Sequence, residues 1–264
     1  MARKDRRAER AGMIGRQPAD TSWAPDDPRV VPLLGSAVIT QCRPIMWGSN
    51  GTFLITMNDQ AGAGQSHAVY KPRRGESPLW DFPRGSLYKR EVGTYLVSDA
   101  LGWGLVPPTV ARNGPYGMGS VQLFIEHDTE EYFRSPTHRD PKSAEAIALL
   151  DLILNNADRK TEHCLQGLDG RTWAIDHGLT FHIEPKLRTV IWDFAGQPIR
   201  PDLLEDLRRL PGALRESAPL YAALGALICD EEIMAVRRRV GRLLKSGCHP
   251  DPGTGRRAQP WAFW

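Results

Sequence analysis

The spacing of apolar residues changes part-way along the chain, and that change constrains the fold more than any other feature. Up to about residue 127 the apolar residues fall in short runs broken by Gly- and Asn-containing turns. "SAVITQCRPIM" and "TFLITMN" flank the turn Gly48-Ser49-Asn50-Gly51, the pattern of a β-hairpin, and "HAVYKP" supplies a third run. "SLYKREVGTYLVSDALG" then places Val92, Tyr95, Leu96 and Leu101 at helical spacing, with Gly102 as a C-terminal stop. "PPTVARN" and "SVQLFIEHD" add two strands around the loop from Gly114 to Gly119, so the first half reads β-β-β-α-β-β. From Pro141 onward Ile147, Leu150 and Leu154 form the stripe of a core-facing helix. After "TWAIDHGLTF" and an irregular stretch, helices are expected near 201–209, 212–228 and 230–246.

The fold class predicted is α+β with two lobes: residues 29–127 as a β-rich lobe with one main helix, and 128–247 as a mainly helical lobe, joined near 127–140. Residues 1–28 read as a disordered basic arm, and 248–264 as a Pro/Gly-rich tail able to dock through Trp261, Phe263 and Trp264. No apolar run approaches the roughly 18 residues that cross a bilayer, so no transmembrane segment is expected. The basic start lacks the apolar core of a secretory signal, and a cytoplasmic protein is expected. Cys42, Cys164, Cys229 and Cys248 are too scattered for a zinc knuckle or a disulfide framework. A net charge of +3 does not indicate a nucleic-acid partner.

On this frame, residues suited to phosphoryl transfer occur in working order. Such chemistry needs mainly positioning and charge neutralisation around phosphates and metal ions. The hairpin tip Gly48, Ser49, Asn50 and Gly51 offers small residues whose backbone N–H groups can approach phosphate. Lys71 ends the third strand, where its ammonium can reach a nucleotide, and Glu91 in the next helix can pair with it. Pro72 suits the end of an edge-like strand. "NNADRKTEHCL" follows the long helix; its Asp158 can orient or deprotonate a hydroxyl, while Asp176 in "AIDHG" can hold the bridging metal. The same residues also suit a polar turn ending a helix.

"VYKP", "REVGTYLVSDALG", "NNADRK" and "IDHG" resemble the phosphatidylinositol 3- and 4-kinase-related branch of the kinase-like superfamily, which includes bacterial Ser/Thr kinases of the persistence-toxin type. The chain is more closely similar to an actinobacterial family distantly related to those lipid kinases, over about residues 33 to 246. The resemblance implies a two-lobed protein-kinase-like fold and an ATP-dependent phosphotransferase using Mg²⁺ or Mn²⁺, acting on an unknown hydroxyl acceptor. It does not make that acceptor a lipid, since the same loop motifs serve enzymes acting on proteins, lipids and small molecules, and a protein or small molecule is expected ahead of a lipid. Asp158, with Arg159 and Lys160, would be the catalytic set, Asp176 the principal metal ligand, Lys71 the phosphate-contacting lysine, Glu91 its partner and Glu126 part of the adenine-binding connection. Two positions depart from the branch: Lys160 stands where histidine is usual, and His163 where a metal-binding asparagine is expected. His163 would then ligate the metal, favouring Mn²⁺, or hydrogen-bond a phosphate. Trp192, Asp193 and Phe194 would line the substrate side or anchor a loop. The alternatives are a nucleotide-binding pseudokinase and an AMP-transferring kinase-like enzyme.

Overall fold

Residues 23–45, 50–59, 64–253 and 258–260 are described by the computed structural model, apart from the side chains of residues 132 and 133. A short helix, α1 (Val30–Ser36), precedes strands β1 (Val38–Ile45), β2 (Thr52–Asp59) and β3 (Gly64–Pro72). Helix α2 (Leu87–Leu101) follows, then β4 (Thr109–Gly114) and β5 (Gly117–Leu123). The five strands form one antiparallel sheet in the order β1-β2-β3-β5-β4. The expected β-β-β-α-β-β order is therefore present, with α1 added in front.

Strand β3 lies in the middle of the sheet and not near an edge, with Lys71 opposite Ser120 and Pro72 opposite Gly119. Gly119 makes that approach possible, because a Cβ there would stand 2.7 Å from the Pro72 Cα. Gly102, at φ 70°, ends α2 as expected.

Past the sheet come α3 (Pro136–Arg139), α4 (Pro141–Leu154), a small hairpin of β6 (Cys164–Gln166) and β7 (Thr172–Ala174), and helices α5 (Pro201–Ala213), α6 (Pro219–Gly225) and α7 (Asp230–Ser246). The helix expected over 212–228 is interrupted. Ala218 is extended (φ −90°, ψ 145°) because Pro219 disfavours helical backbone in the residue before it, and α6 starts afresh at that proline.

Two apolar clusters form the core. One gathers α4, α5 and α7 with Val97, Leu101, Leu105 and Val106. The other packs Trp23, Val30 and Leu34 against Ile55, Met57, Tyr70 and Val121 of the sheet. The β6–β7 hairpin spans both: Cys164 and Ala174 belong to the first cluster, Leu165 and Trp173 to the second. Helix α2 sits between β4 and β5 on one side and α5 and α6 on the other, which explains why it is buried around most of its circumference.

The arm expected through residue 28 gives way to packed chain sooner. Trp23 is 5% exposed, and Asp26 pairs with Arg171 at 2.7 Å. The tail docks on the helical lobe: Gly196 N–H donates to the His249 carbonyl and Thr189 N–H to that of Ala258, each at 3.0 Å. Its aromatic end, Trp261, Phe263 and Trp264, lies outside the described residues. No described helix is long and apolar enough to cross a membrane.

Candidate active site

The site is built where β3, α2 and the segment after β7 meet. The Lys71 ammonium, at the end of β3, contacts Glu91 Oε1 and lies 2.9 Å from Asp176 Oδ1. The second oxygen of Glu91, a residue 3% exposed, accepts the His177 backbone N–H at 2.9 Å. One buried carboxylate thus fixes both the lysine and the loop bearing Asp176. Burial disfavours the Lys71 ammonium, but the carboxylates of Asp176 and Glu91 outweigh it and raise its pKa. Lys71 in turn, against a cost from burial, holds the Asp176 carboxyl far below the usual range, so it is ionised.

Asp176 has left-handed backbone, φ 62°, a conformation that costs a non-glycine residue about 1 kcal/mol or more. The contacts of its two carboxylate oxygens hold it there. Oδ2 lies 3.2 Å from His163 Nε2, so His163 stands beside Asp176 as its place in the loop implies. Lys160 N–H points at His163 Nδ1 at 3.4 Å, which makes Nδ1 the acceptor and leaves the proton on Nε2, donated to Asp176. Burial lowers the His163 pKa despite the carboxylate beside it, so the ring is neutral near pH 7.

Asp158 lies on the loop between α4 and β6, its Oδ2 2.8 Å from Lys160 Nζ. Burial raises its pKa, opposed by Lys160, so this carboxylate takes up a proton more readily than an exposed one. Lys160 and Asp158 are each about a quarter exposed, 23% and 25%, and can reach a bound molecule.

Arg159 does not belong to that reactive set. Its guanidinium is 0% exposed and faces inward. Nε and Nη2 donate to Asp151 Oδ2 and Oδ1, both at 2.9 Å. Nη1 donates to the carbonyls of His163 (3.2 Å) and Ile175 (2.8 Å), and Nη2 lies 2.6 Å from His177 Nε2. It ties the catalytic loop to the Asp176 loop from beneath.

The two asparagines are structural as well. Asn155 ends α4 in left-handed backbone, φ 57°, and its amide donates to the carbonyls of His182 (2.8 Å) and Glu184 (2.6 Å). Asn156 donates to Asp151 Oδ1 at 2.8 Å and accepts the Asp158 N–H at 3.1 Å. Asp151 is not among the residues expected at the site, although an acid in an apolar helical stripe signals a buried partner. Arg90, equally unmarked by the sequence, is 1% exposed and joins α2 to the helical lobe through Glu232 Oε1 and the Thr180 carbonyl, both at 2.6 Å.

Gly48 and Ser49 lie outside the described residues. Of the hairpin tip, Gly51 N–H donates to the Gly75 carbonyl at 2.8 Å, and Asn50 Oδ1 accepts the Ser77 N–H at 2.6 Å. The tip is therefore fastened to the chain after β3. Glu126 sits on the connection between lobes, its carbonyl accepting Leu168 N–H at 2.8 Å. Trp192 and Phe194 anchor a loop: Trp192 Nε1 donates to the Ala258 carbonyl at 3.0 Å, and Phe194 lies beside His249, ring centroids 5.7 Å apart.

Among the described residues no three His, Cys, Asp or Glu side chains converge as a metal cage. The ionised Asp176 carboxylate fits a hard divalent cation, which commonly takes one or two protein carboxylates and completes its shell with substrate phosphates and water.

No family model matches the chain. A Mycobacterium tuberculosis relative, Protein Rv2133c, is 38% identical over 271 aligned residues that span 89% of this chain and 95% of the relative. The chain belongs to the Rv2133c family. Phosphatidylinositol 4-kinase gamma 4 of rice is 27% identical over 194 residues, 59% of this chain but only 34% of the rice protein. Two solved structures share the fold of this Rv2133c-family chain. They are hydra Fam20 with sugar (TM-score 0.56, 14% identity, 90% of this chain and 95% of that one) and the Golgi casein kinase (TM-score 0.50, 16% identity, 85% and 79%). The family therefore has a two-lobed kinase-like fold, as the resemblance implied, and is distantly related to kinases.

Proposed function

We propose that the chain is an ATP-dependent phosphotransferase that moves a phosphoryl group to a hydroxyl acceptor. The observation that carries this reading is the Lys71 ammonium held between Glu91 and Asp176, with Asp158 on the neighbouring loop. Lys71 contacts nucleotide phosphates, and Asn50 and Gly51 of the hairpin tip cover them. Backbone groups around Glu126 meet the adenine edge. Asp176 holds Mg²⁺ or Mn²⁺, which neutralises phosphate charge when bound, and His163 orients Asp176 through Nε2–H.

Asp158 accepts the hydroxyl proton as the acceptor oxygen bonds to the γ-phosphorus and the bond to the β-phosphate oxygen of ADP breaks. Lys160, 2.8 Å from Asp158, brings positive charge to the transferring group.

Replacement of Asp176 by alanine is expected to abolish metal-dependent ATP binding. Asp158→Ala should keep binding and lose transfer by roughly 10²- to 10⁴-fold. Folded protein that binds no ATP with either metal would sink the proposal. ATP labelled at the α- or γ-phosphate separates AMP transfer from phosphoryl transfer, and binding without turnover would mark a pseudokinase.

A further inference from the structure

Beside the site, and sharing none of its charged residues, lies a cavity of about 370 Å³ between the end of β3 and the start of α2. That volume matches a small organic ligand. Arg73, Arg74 and Arg84 line it together with Glu76, Leu79 and Phe82. None of the three guanidinium groups is paired with a carboxylate among the described residues.

The positive wall is constructed and not merely exposed. The stem of Arg73 runs across Gly85, where a Cβ would stand 3.0 Å from Arg73 Cδ. Gly85 also has φ 70°, so glycine is needed twice over for this arginine to lie in place. Leu87, the first residue of α2, forms part of the wall and brings the positive end of the helix dipole to the cavity.

Glu76 supplies a different kind of group. Its Oε1 caps α2 by accepting Tyr88 N–H at 2.9 Å. Its Oε2 is buried without a hydrogen-bond partner among the described residues. A buried carboxylate oxygen left open beside three cations suits a ligand that brings an anion for the arginines and a hydroxyl for the acid.

The cavity adjoins the reactive centre on two sides. Gly75, next to Arg74, touches the hairpin tip: a Cβ on it would meet Gly51 O at 2.8 Å and Gly51 Cα at 2.9 Å. On the other side, Leu87 lies against Gly178, two residues past Asp176, where a Cβ would be 3.4 Å from Leu87 Cβ. Phe82 packs edge-on against His182, ring centroids 5.2 Å apart. The hairpin tip and the segment after Asp176 therefore each touch a residue that lines the cavity or directly adjoins its lining.

We propose that the acceptor is a soluble phosphate monoester of a small polyol, its phosphate anchored by Arg73, Arg74 and Arg84 and one hydroxyl held by Glu76 Oε2. The assignment rests on the phosphotransferase reading for the transfer step, but not for binding. Binding of glucose 6-phosphate and glycerol 3-phosphate is to be measured by calorimetry on the full chain, with glucose, glycerol and inorganic phosphate as comparisons.

The ester is expected to bind wild type and Lys71→Met alike. Each of Arg73→Gln and Arg84→Gln should weaken binding by roughly tenfold or more, with the melting temperature unchanged. Incubation of wild type with γ-labelled ATP should then place label on the ester. The proposal is overturned if folded protein binds neither ester, if Lys71→Met abolishes binding while the arginine variants do not, or if inorganic phosphate binds as tightly as the esters. It is also overturned if the bound ester stays unlabelled while ATP is consumed. Absence of ATP binding with ester binding intact would instead refute the phosphotransferase reading alone.

Discussion

Replacing Arg159 with leucine separates a structural arginine from a catalytic one. In the native protein five acceptors surround its guanidinium, and its partner Asp151 is 1% exposed. Without the guanidinium, the Asp151 carboxylate keeps, among the described residues, only the Asn156 amide at 2.8 Å, and the carbonyls of His163 and Ile175 lose a donor. Removing one member of a buried ion pair costs about 3–5 kcal/mol, because the remaining charge is stranded away from water. For a chain of this size that corresponds to a fall in melting temperature of about 6–20 °C. Asp151→Leu should fall in the same range, since it strands the guanidinium. The double variant Asp151→Leu/Arg159→Leu should recover much of the loss, because two apolar side chains can replace a satisfied buried pair at little net cost. Thermal unfolding followed by circular dichroism gives the three values. An Arg159→Leu variant that melts like wild type yet transfers no phosphate would refute this account and return Arg159 to the reactive set.

Three further outcomes follow from the geometry. In the Mn²⁺–ADP complex, pulsed electron paramagnetic resonance should show no strong ¹⁴N coupling, since His163 Nε2 carries a proton directed at Asp176; a directly bonded imidazole nitrogen would overturn that tautomer. Stability should rise with pH between about 5 and 7: burial lowers the pKa of His127, His177 and His249 below the unfolded value near 6.5. In that window the unfolded chain binds more protons than the native one, and each such histidine contributes a slope of up to about 1.4 kcal/mol per pH unit. Urea titrations giving equal stability at both ends of the range would contradict it. Gly75→Ala should raise the KM for ATP by roughly tenfold, because its Cβ meets Gly51 backbone at 2.8–2.9 Å and overpacking of that kind costs about 1–3 kcal/mol; an unchanged KM would show that the hairpin tip does not depend on this contact.

What the sequence determined by itself was local and ordered. Alternation of apolar residues and turn-forming glycines set the strands, the Ile147–Leu150–Leu154 stripe set α4, and Gly102 marked the end of α2. Backbone propensity and side-chain period act within a few residues, so they can be read without knowing what lies opposite. The pairing of Lys71 with Glu91 was legible for a related reason, since strand end and following helix fix their separation.

Contacts between distant segments were decided only in three dimensions. The central position of β3 depends on β5 returning beside it, and no local pattern states that. Arg159 reads as part of a reactive triplet until Asp151, one helix earlier, is seen to claim it. Two asparagines that suggested a turn became the clamps of the 182–184 carbonyls and of the Asp158 loop. The side chains of "NNADRKTEH" divide by direction: Asn155, Asn156 and Arg159 point into the protein, while Asp158 and Lys160 remain partly open to solvent. Charge and polarity are properties of the sequence, but which charges are buried and paired is a property of packing, because burial of an ion is tolerable only where the fold brings it a partner.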